Sequence, residues 1–210
     1  MSEILVDGDA MRRVWTAVVL VVTLGLAAVA ADVPASPVYW SADRPLAWTD
    51  FLGNPPDWAV QGKVWIASPD LHLYFHIDYA APPSGSTWTA YVTTLTVTCF
   101  VNPSDSWSIT SRTSPAALHH EQLHFDLYEA YRRLVDNTLR PMTYTSRVSG
   151  VDAWMTLRSL QDSTWLVLKK RAADAEMQFD RDTDNGRDLE AQATWEARIA
   201  AGLANPSSLP

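Results

Sequence analysis

Apolar and polar positions alternate from Gln61 to Ala80. Leu71, Leu73, Phe75, Ile77 and Tyr79 fall on one face, and His72, Tyr74, His76 and Asp78 on the other. A period of two predicts a half-buried strand. Turn-forming residues, Pro82-Pro83-Ser84-Gly85-Ser86, separate it from a second strand, Tyr91–Val101, with Tyr91, Leu95, Val97, Cys99 and Val101 on one face. A β-hairpin is expected, extended by Lys63–Ala67. The period changes at Ser114-Pro115, where serine caps free amides and proline takes the first helical position, predicting a helix that Pro141 stops near Leu139. Trp154, Leu157, Leu160, Thr164, Leu168, Ala172, Ala175 and Phe179 recur at helical spacing and predict a second helix from Val151 to about Phe179. Leu189, Gln192, Trp195 and Ile199 predict a third, from about Asp188 to Leu203. Strands followed by helices predict an α+β domain with the helices on one side of a small antiparallel sheet.

The region before these elements has a different character. An apolar run from Val14 to Ala31 follows Arg12-Arg13 and ends in Ala28-Val29-Ala30, a small-x-small pattern that a signal peptidase accepts. The acidic leader Met1–Ala10 is unusual for a signal, whereas Met11-Arg12-Arg13 makes an ordinary start, so translation from Met11 is an open alternative. The run is also near the lower length limit for an uncleaved membrane anchor. Export to the periplasm or the exterior is expected, with membrane contact only if the segment stays attached. Residues 34–56 are rich in proline and tryptophan and read as an extended arm packed by its aromatics. The expected organisation is a signal over residues 1–30, the arm over 31–60 and the α+β domain over 61–205.

Charge and composition narrow the function. The 210-residue chain carries 16 basic and 24 acidic residues, a net charge of -8, which leaves no basic footprint for nucleic acid. Cys99 is the only cysteine, so no intrachain disulfide can form despite export, and its place in an apolar strand face marks it as a buried structural thiol. The ten tryptophans fall mostly at core spacing or in the arm, which favours packing over carbohydrate stacking.

The chemistry concentrates in His120-Glu121-Gln122-Leu123-His124. On a helix, a spacing of four residues is about 400° of rotation and about 6 Å of rise, so both imidazoles leave the same face and can reach one ion. Zn²⁺ takes such nitrogens, and a catalytic site holds it by three protein ligands with water in the fourth position. Glu121 lies at the rim of the same face, where it can take a proton from that water. Leu123, Leu127, Tyr131 and Leu134 share the stripe, so the histidines face the interior, where bare imidazoles need partners. Two ordinary core histidines are the competing reading. Asp126 projects about 200° from His124 and is excluded from the same ion on a regular helix. His119 reads as a solvated residue, His72 and His76 as surface or cleft-lining residues about 13 Å apart, and Tyr144 as a packed tyrosine or an oxyanion donor.

Three segments carry a resemblance. Leu118–Leu127, LHHEQLHFDL, is similar to the "HEQGHFDI" signature of a bacterial secreted family, domain-of-unknown-function family 922, described as predicted zinc-dependent proteases. Arg44–Pro56, RPLAWTDFLGNPP, is similar to that family's "LxWxDFxG" opening, and Phe179–Trp195, FDRDTDNGRDLEAQATW, to its "YDxxTxHGxxxxxQxxW" tail. The match spans roughly residues 38–203. The resemblance implies a zincin-like hydrolase outside the cytoplasm, with His120 and His124 as zinc ligands and Glu121 as general base. Its substrates are not given by the resemblance, and a peptide or protein substrate is expected because a zinc-activated water suits hydrolysis of a peptide carbonyl. One position departs: the family has histidine before the tail glycine, and this chain has Asn185 before Gly186. If that histidine is the third ligand, Asp180 is the preferred replacement and Asp184 the second candidate. The sequence therefore leaves three functions open: an exported zinc peptidase, a catalytically impaired binding module of the cell envelope, or an amidase acting on cell-wall peptides with the same residues. It is silent on oligomeric state.

Overall fold

A computed structural model describes residues 35–62 and 66–209; residues 1–30, read as an export signal, and Lys63–Trp65 lie outside the described residues. The fold is α+β. Its strands are β1 (Val38–Tyr39), β2 (Ala67–Ser68), β3 (Leu71–Ala80), β4 (Pro83–Ser84), β5 (Thr87–Val101), β6 (Trp107–Ser108) and β7 (Thr143–Ser146). Its helices are α1 (Asp57–Gln61), α2 (Pro115–Leu139), α3 (Gly150–Asp182) and α4 (Leu189–Ala204). No helix among the described residues is long and apolar enough to cross a membrane.

The long strand β5 is the centre of the sheet. It pairs antiparallel with β3 from Leu71↔Val101 to Ala80↔Tyr91, and β4 continues that edge to Ser84↔Thr87, where Gly85 turns the chain at φ 60. Tyr91 also pairs with Thr143, so β7 lies on the opposite edge of β5, and β1 joins that edge through Val38↔Val101. The hairpin is therefore as expected, but β1 and β7 complete the sheet from outside it. Ala67 does not extend the hairpin: β2 pairs with β6 in a separate two-stranded sheet. The segment read as an arm contributes β1, a 3-10 turn at Trp48–Asp50 and the short helix α1.

One face of the sheet packs on the helices. Leu73 of β3 and Leu95, Val97, Cys99 and Val101 of β5 are buried with Leu127, Tyr131 and Leu134 of α2 and Leu168, Ala172 and Phe179 of α3. Tyr91, expected on that face, is exposed, while its neighbour Ala90 is fully buried. The cause is a bulge: Asp78 pairs with Thr94 but Tyr79 with Val92, and one extra residue in β5 exchanges the two faces.

Each long helix begins on a side-chain cap. Ser114 accepts from the Ala117 amide at α2, Ser149 from Asp152 at α3, and Asp188 from Glu190 and Ala191 at α4. Pro115 occupies the first position of α2. The three helices surround a second, polar focus, where the apolar stripe of α2 is interrupted by buried His120, Glu121 and His124.

Candidate metal centre

His120 and His124 project from α2 toward the last turn of α3, where Phe179 and Asp180 meet them. Phe179, fully buried, stacks on the His120 ring at 4.6 Å and meets the His124 ring at a steep angle at 4.8 Å. Its ring forms a wall that limits the rotation of both imidazoles. The next residue, Asp180, sets Oδ1 at 3.1 Å from His120 Nε2 and 2.9 Å from His124 Nε2. The two Nε2 atoms are 3.2 Å apart.

The donor chemistry of this triangle asks for a cation. Gln192 Oε1 of α4 lies 3.1 Å from His120 Nδ1 and can only accept, so it holds the proton on Nδ1 and leaves Nε2 as a lone pair. That lone pair faces a carboxylate oxygen and a second imidazole nitrogen. A shared proton or a metal ion satisfies such a convergence; apolar surroundings do not. The size also fits a metal ion. Ligand atoms on a tetrahedron of metal–nitrogen radius 2.0–2.1 Å stand about 3.3–3.4 Å apart, and the observed edges are 2.9, 3.1 and 3.2 Å. The chain thus holds a three-residue group, His120, His124 and Asp180, able to bind a metal ion. His124 Nδ1 is buried without a hydrogen-bond partner among the described residues.

Burial and charge bias the protonation of these groups. Burial raises the Glu121 carboxyl above its ordinary range, against the lowering effect of His124 and His120. Burial would depress His124, but Asp180 outweighs it and raises the imidazole. Burial would likewise raise Asp180, yet the imidazoles against its Oδ1 hold it well below the usual carboxylate range. Glu121 is 5% exposed and makes no hydrogen bond among the described residues. It nevertheless lines the same cleft of about 240 Å³ as His120, His124, Asp180 and Glu176, together with residues 66–69.

The turn after α3 secures the assembly. Asp184, Asn185 and Gly186 take φ values of 50, 54 and 80, a left-handed run that aspartate, asparagine and glycine tolerate best. The Asn185 amide donates to the Asp180 carbonyl, and the Gly186 amide to Thr183 Oγ1. A Cβ on Gly186 would lie 2.9 Å from His120 Cγ and 3.0 Å from Nδ1, so the backbone rests directly on the imidazole. Trp195 of α4 packs against Phe179 and donates Nε1 to Asp182, tying α4 to the end of α3.

Of the residues singled out in the sequence, His120, Glu121, His124 and Asp180 come together, and Asn185 lines their cleft outside the ligand group. Asp184 is not brought in: its carboxylate pairs with Arg187 and is exposed. Asp126 fixes a neighbouring segment, accepting from Trp40 Nε1 and Gln122 Nε2, while Gln122 Oε1 accepts from the Leu46 amide. His119 pairs with Glu196 on the surface, His72 with Asp70 and His76 with Asp78. Tyr144 packs with Ala90, Ala153 and Leu157, away from the cleft. Sequence reasoning missed two residues: Gln192, counted as part of an apolar stripe, and Glu176, four residues before Asp180 and so on the same face of α3. Their signal was a polar residue at a core-facing helical position.

Comparison with protein-family models, with curated proteins and with solved structures finds no match to this chain.

Proposed function

We propose that the chain is an exported, zincin-like zinc peptidase in which His120, His124 and Asp180 hold the ion and Glu121 handles the proton. One observation carries the reading: a buried carboxylate with no hydrogen bond among the described residues, Glu121, shares a cleft with three donor atoms spaced for one small cation. Zinc bound there supplies a Lewis acid that lowers the pKa of water and polarises a carbonyl. His120 offers Nε2 because Gln192 keeps the proton on Nδ1. Asp180 contributes a negative ligand, compensating for the family histidine that Asn185 replaces. Glu121, set one residue beyond His120 and with its carboxyl raised by burial above the ordinary range, is suited to take a proton from the attacking water and deliver it to the leaving amine nitrogen. The resemblance to domain-of-unknown-function family 922 supports the same assignment from three separate segments, and export rests on the signal pattern of residues 1–30.

The test is metal content together with turnover. The purified protein is expected to carry about one zinc by elemental analysis and to cleave a mixed-sequence fluorogenic peptide library. His124→Ala should lose both, whereas Glu121→Gln should keep the zinc and lose at least about a hundredfold in rate. A protein that binds no zinc after incubation with the metal overturns the reading. Zinc binding without cleavage by the native protein favours a binding module instead.

A further inference from the structure

The cleft holds one charge that neither the metal chemistry nor its own surroundings offset. The charged residues lining it, among those described, are Glu121, Glu176, Asp180 and Arg187, with the imidazoles of His120 and His124. Arg187 is paired with Asp184 at 2.5 Å and so is already compensated. A divalent ion on the histidines offsets Asp180 and Glu121. Glu176 remains.

Its position is built rather than incidental. Glu176 lies one helical turn before Asp180 on α3, about 6 Å along the axis, on the same face. It is close enough to the reacting centre for its charge to raise both Glu121 and His124. The Tyr128 hydroxyl of α2 donates to Glu176 Oε2 at 2.6 Å, which fixes the side chain between the two helices. That bond occupies one oxygen. The other, Oε1, accepts no hydrogen bond among the described residues, and the side chain borders the cleft. A second carboxylate in the same cleft, Glu121, is more than nine-tenths buried and also without a hydrogen bond among the described residues, so two carboxylates there have acceptor oxygens to spare.

We infer that Glu176 is a substrate-selecting residue, whose free carboxylate oxygen receives an ammonium or guanidinium group of the peptide bound in the cleft. This rests on the peptidase reading and specifies its substrate class: peptides presenting a free α-amine or a lysine or arginine side chain next to the scissile bond. A carboxylate held by a tyrosine in a half-enclosed cleft is already ordered, so a cationic group pays little further entropy to meet it. An acidic group in the same place meets repulsion from Glu176.

The decisive measurement separates binding from turnover. Zinc-loaded Glu121→Gln protein, with Glu176 intact or changed to Gln, is titrated calorimetrically with matched peptides. These carry lysine, norleucine or glutamate at each position flanking the central bond, with free or acetylated N-termini. The expected result is that at least one cationic placement binds about ten- to a hundredfold more tightly than its neutral match. Glu176→Gln should remove that preference while leaving norleucine peptides and zinc content unchanged. The acetylated arm tells an α-amine from a side-chain cation. Equal binding of cationic and neutral peptides, or a preference that survives Glu176→Gln, overturns the inference. Turnover of the same peptides by the native chain is scored separately. Cleavage without cationic preference sinks only the selectivity, and absence of cleavage sinks only the peptidase reading.

Discussion

Gly186 is the residue whose replacement reads the site most directly. Its φ of 80 already disfavours any side chain, and a methyl group there would overlap the His120 ring at 2.9 Å. The imidazole would have to shift as a whole, carrying with it Nδ1, which lies 3.0 Å from the added carbon and is held by Gln192. Strain at a left-handed position costs about 1 kcal/mol, but the larger effect falls on the ligand, since disturbing the partner of a ligating histidine weakens metal affinity by about 10- to 100-fold. Gly186→Ala is therefore expected to lower zinc affinity by that factor in competition with a chromophoric chelator, while the fold persists by circular dichroism. Unchanged affinity would mean that the turn does not brace His120. Cys99, by contrast, is 3% exposed and its thiol is pushed up by burial, so it plays no part in the chemistry.

Among the elements, α2 does most of the joining, and it does so through a charge. Glu129 is 3% exposed and accepts from Arg132 and Arg133 at 2.7 and 2.8 Å; Arg133 then donates to the Leu203 carbonyl of α4 and lies over the Trp40 ring. Glu129→Ala leaves both arginines without their acceptor. Breaking a buried pair costs 3–5 kcal/mol, and the lower end, about 3 kcal/mol, applies because the arginine side chains are 26% and 33% exposed. Urea unfolding checks it; a loss under about 1 kcal/mol would place the network with surface pairs. Arg132 and Arg133 fall opposite the apolar stripe of α2, yet both turn onto buried Glu129, and this shows where the pattern stops informing. The start of α2 was legible because Ser114 acts locally on its own backbone, and α3 and α4 were legible from their apolar stripes, with caps at Ser149 and Asp188 that the structure adds. The strands β1 and β7 were not, since two to four residues carry no period and their pairing is decided by β5. Glu176 and Gln192 were hidden for a related reason: a polar residue on a helix gains meaning only from what another helix brings opposite it.

For the whole molecule, the centre acts as a clamp between elements far apart in sequence. His120 and His124 belong to α2 and Asp180 to α3, while Gln192 reaches the same histidine from α4. With one cysteine the described domain has no disulfide between these helices, and their junction at the site is polar beside the apolar core they share. A ligand that binds only the folded chain stabilises it by RT ln(1 + [L]/Kd), about 4 kcal/mol at a thousandfold excess over Kd. At about 2–4 °C per kcal/mol for a chain of this size, zinc is expected to raise Tm by roughly 8–16 °C. Calorimetry of the protein stripped with a chelator and then reloaded measures the shift. His124→Ala and Asp180→Ala should each melt at a temperature insensitive to zinc. If Asp180→Ala keeps the full shift, the clamp is on α2 alone and the third ligand lies elsewhere. If both variants lose it, the metal joins α2 to α3, and the geometry on which Glu121 and Glu176 depend is set by the ion as much as by the core.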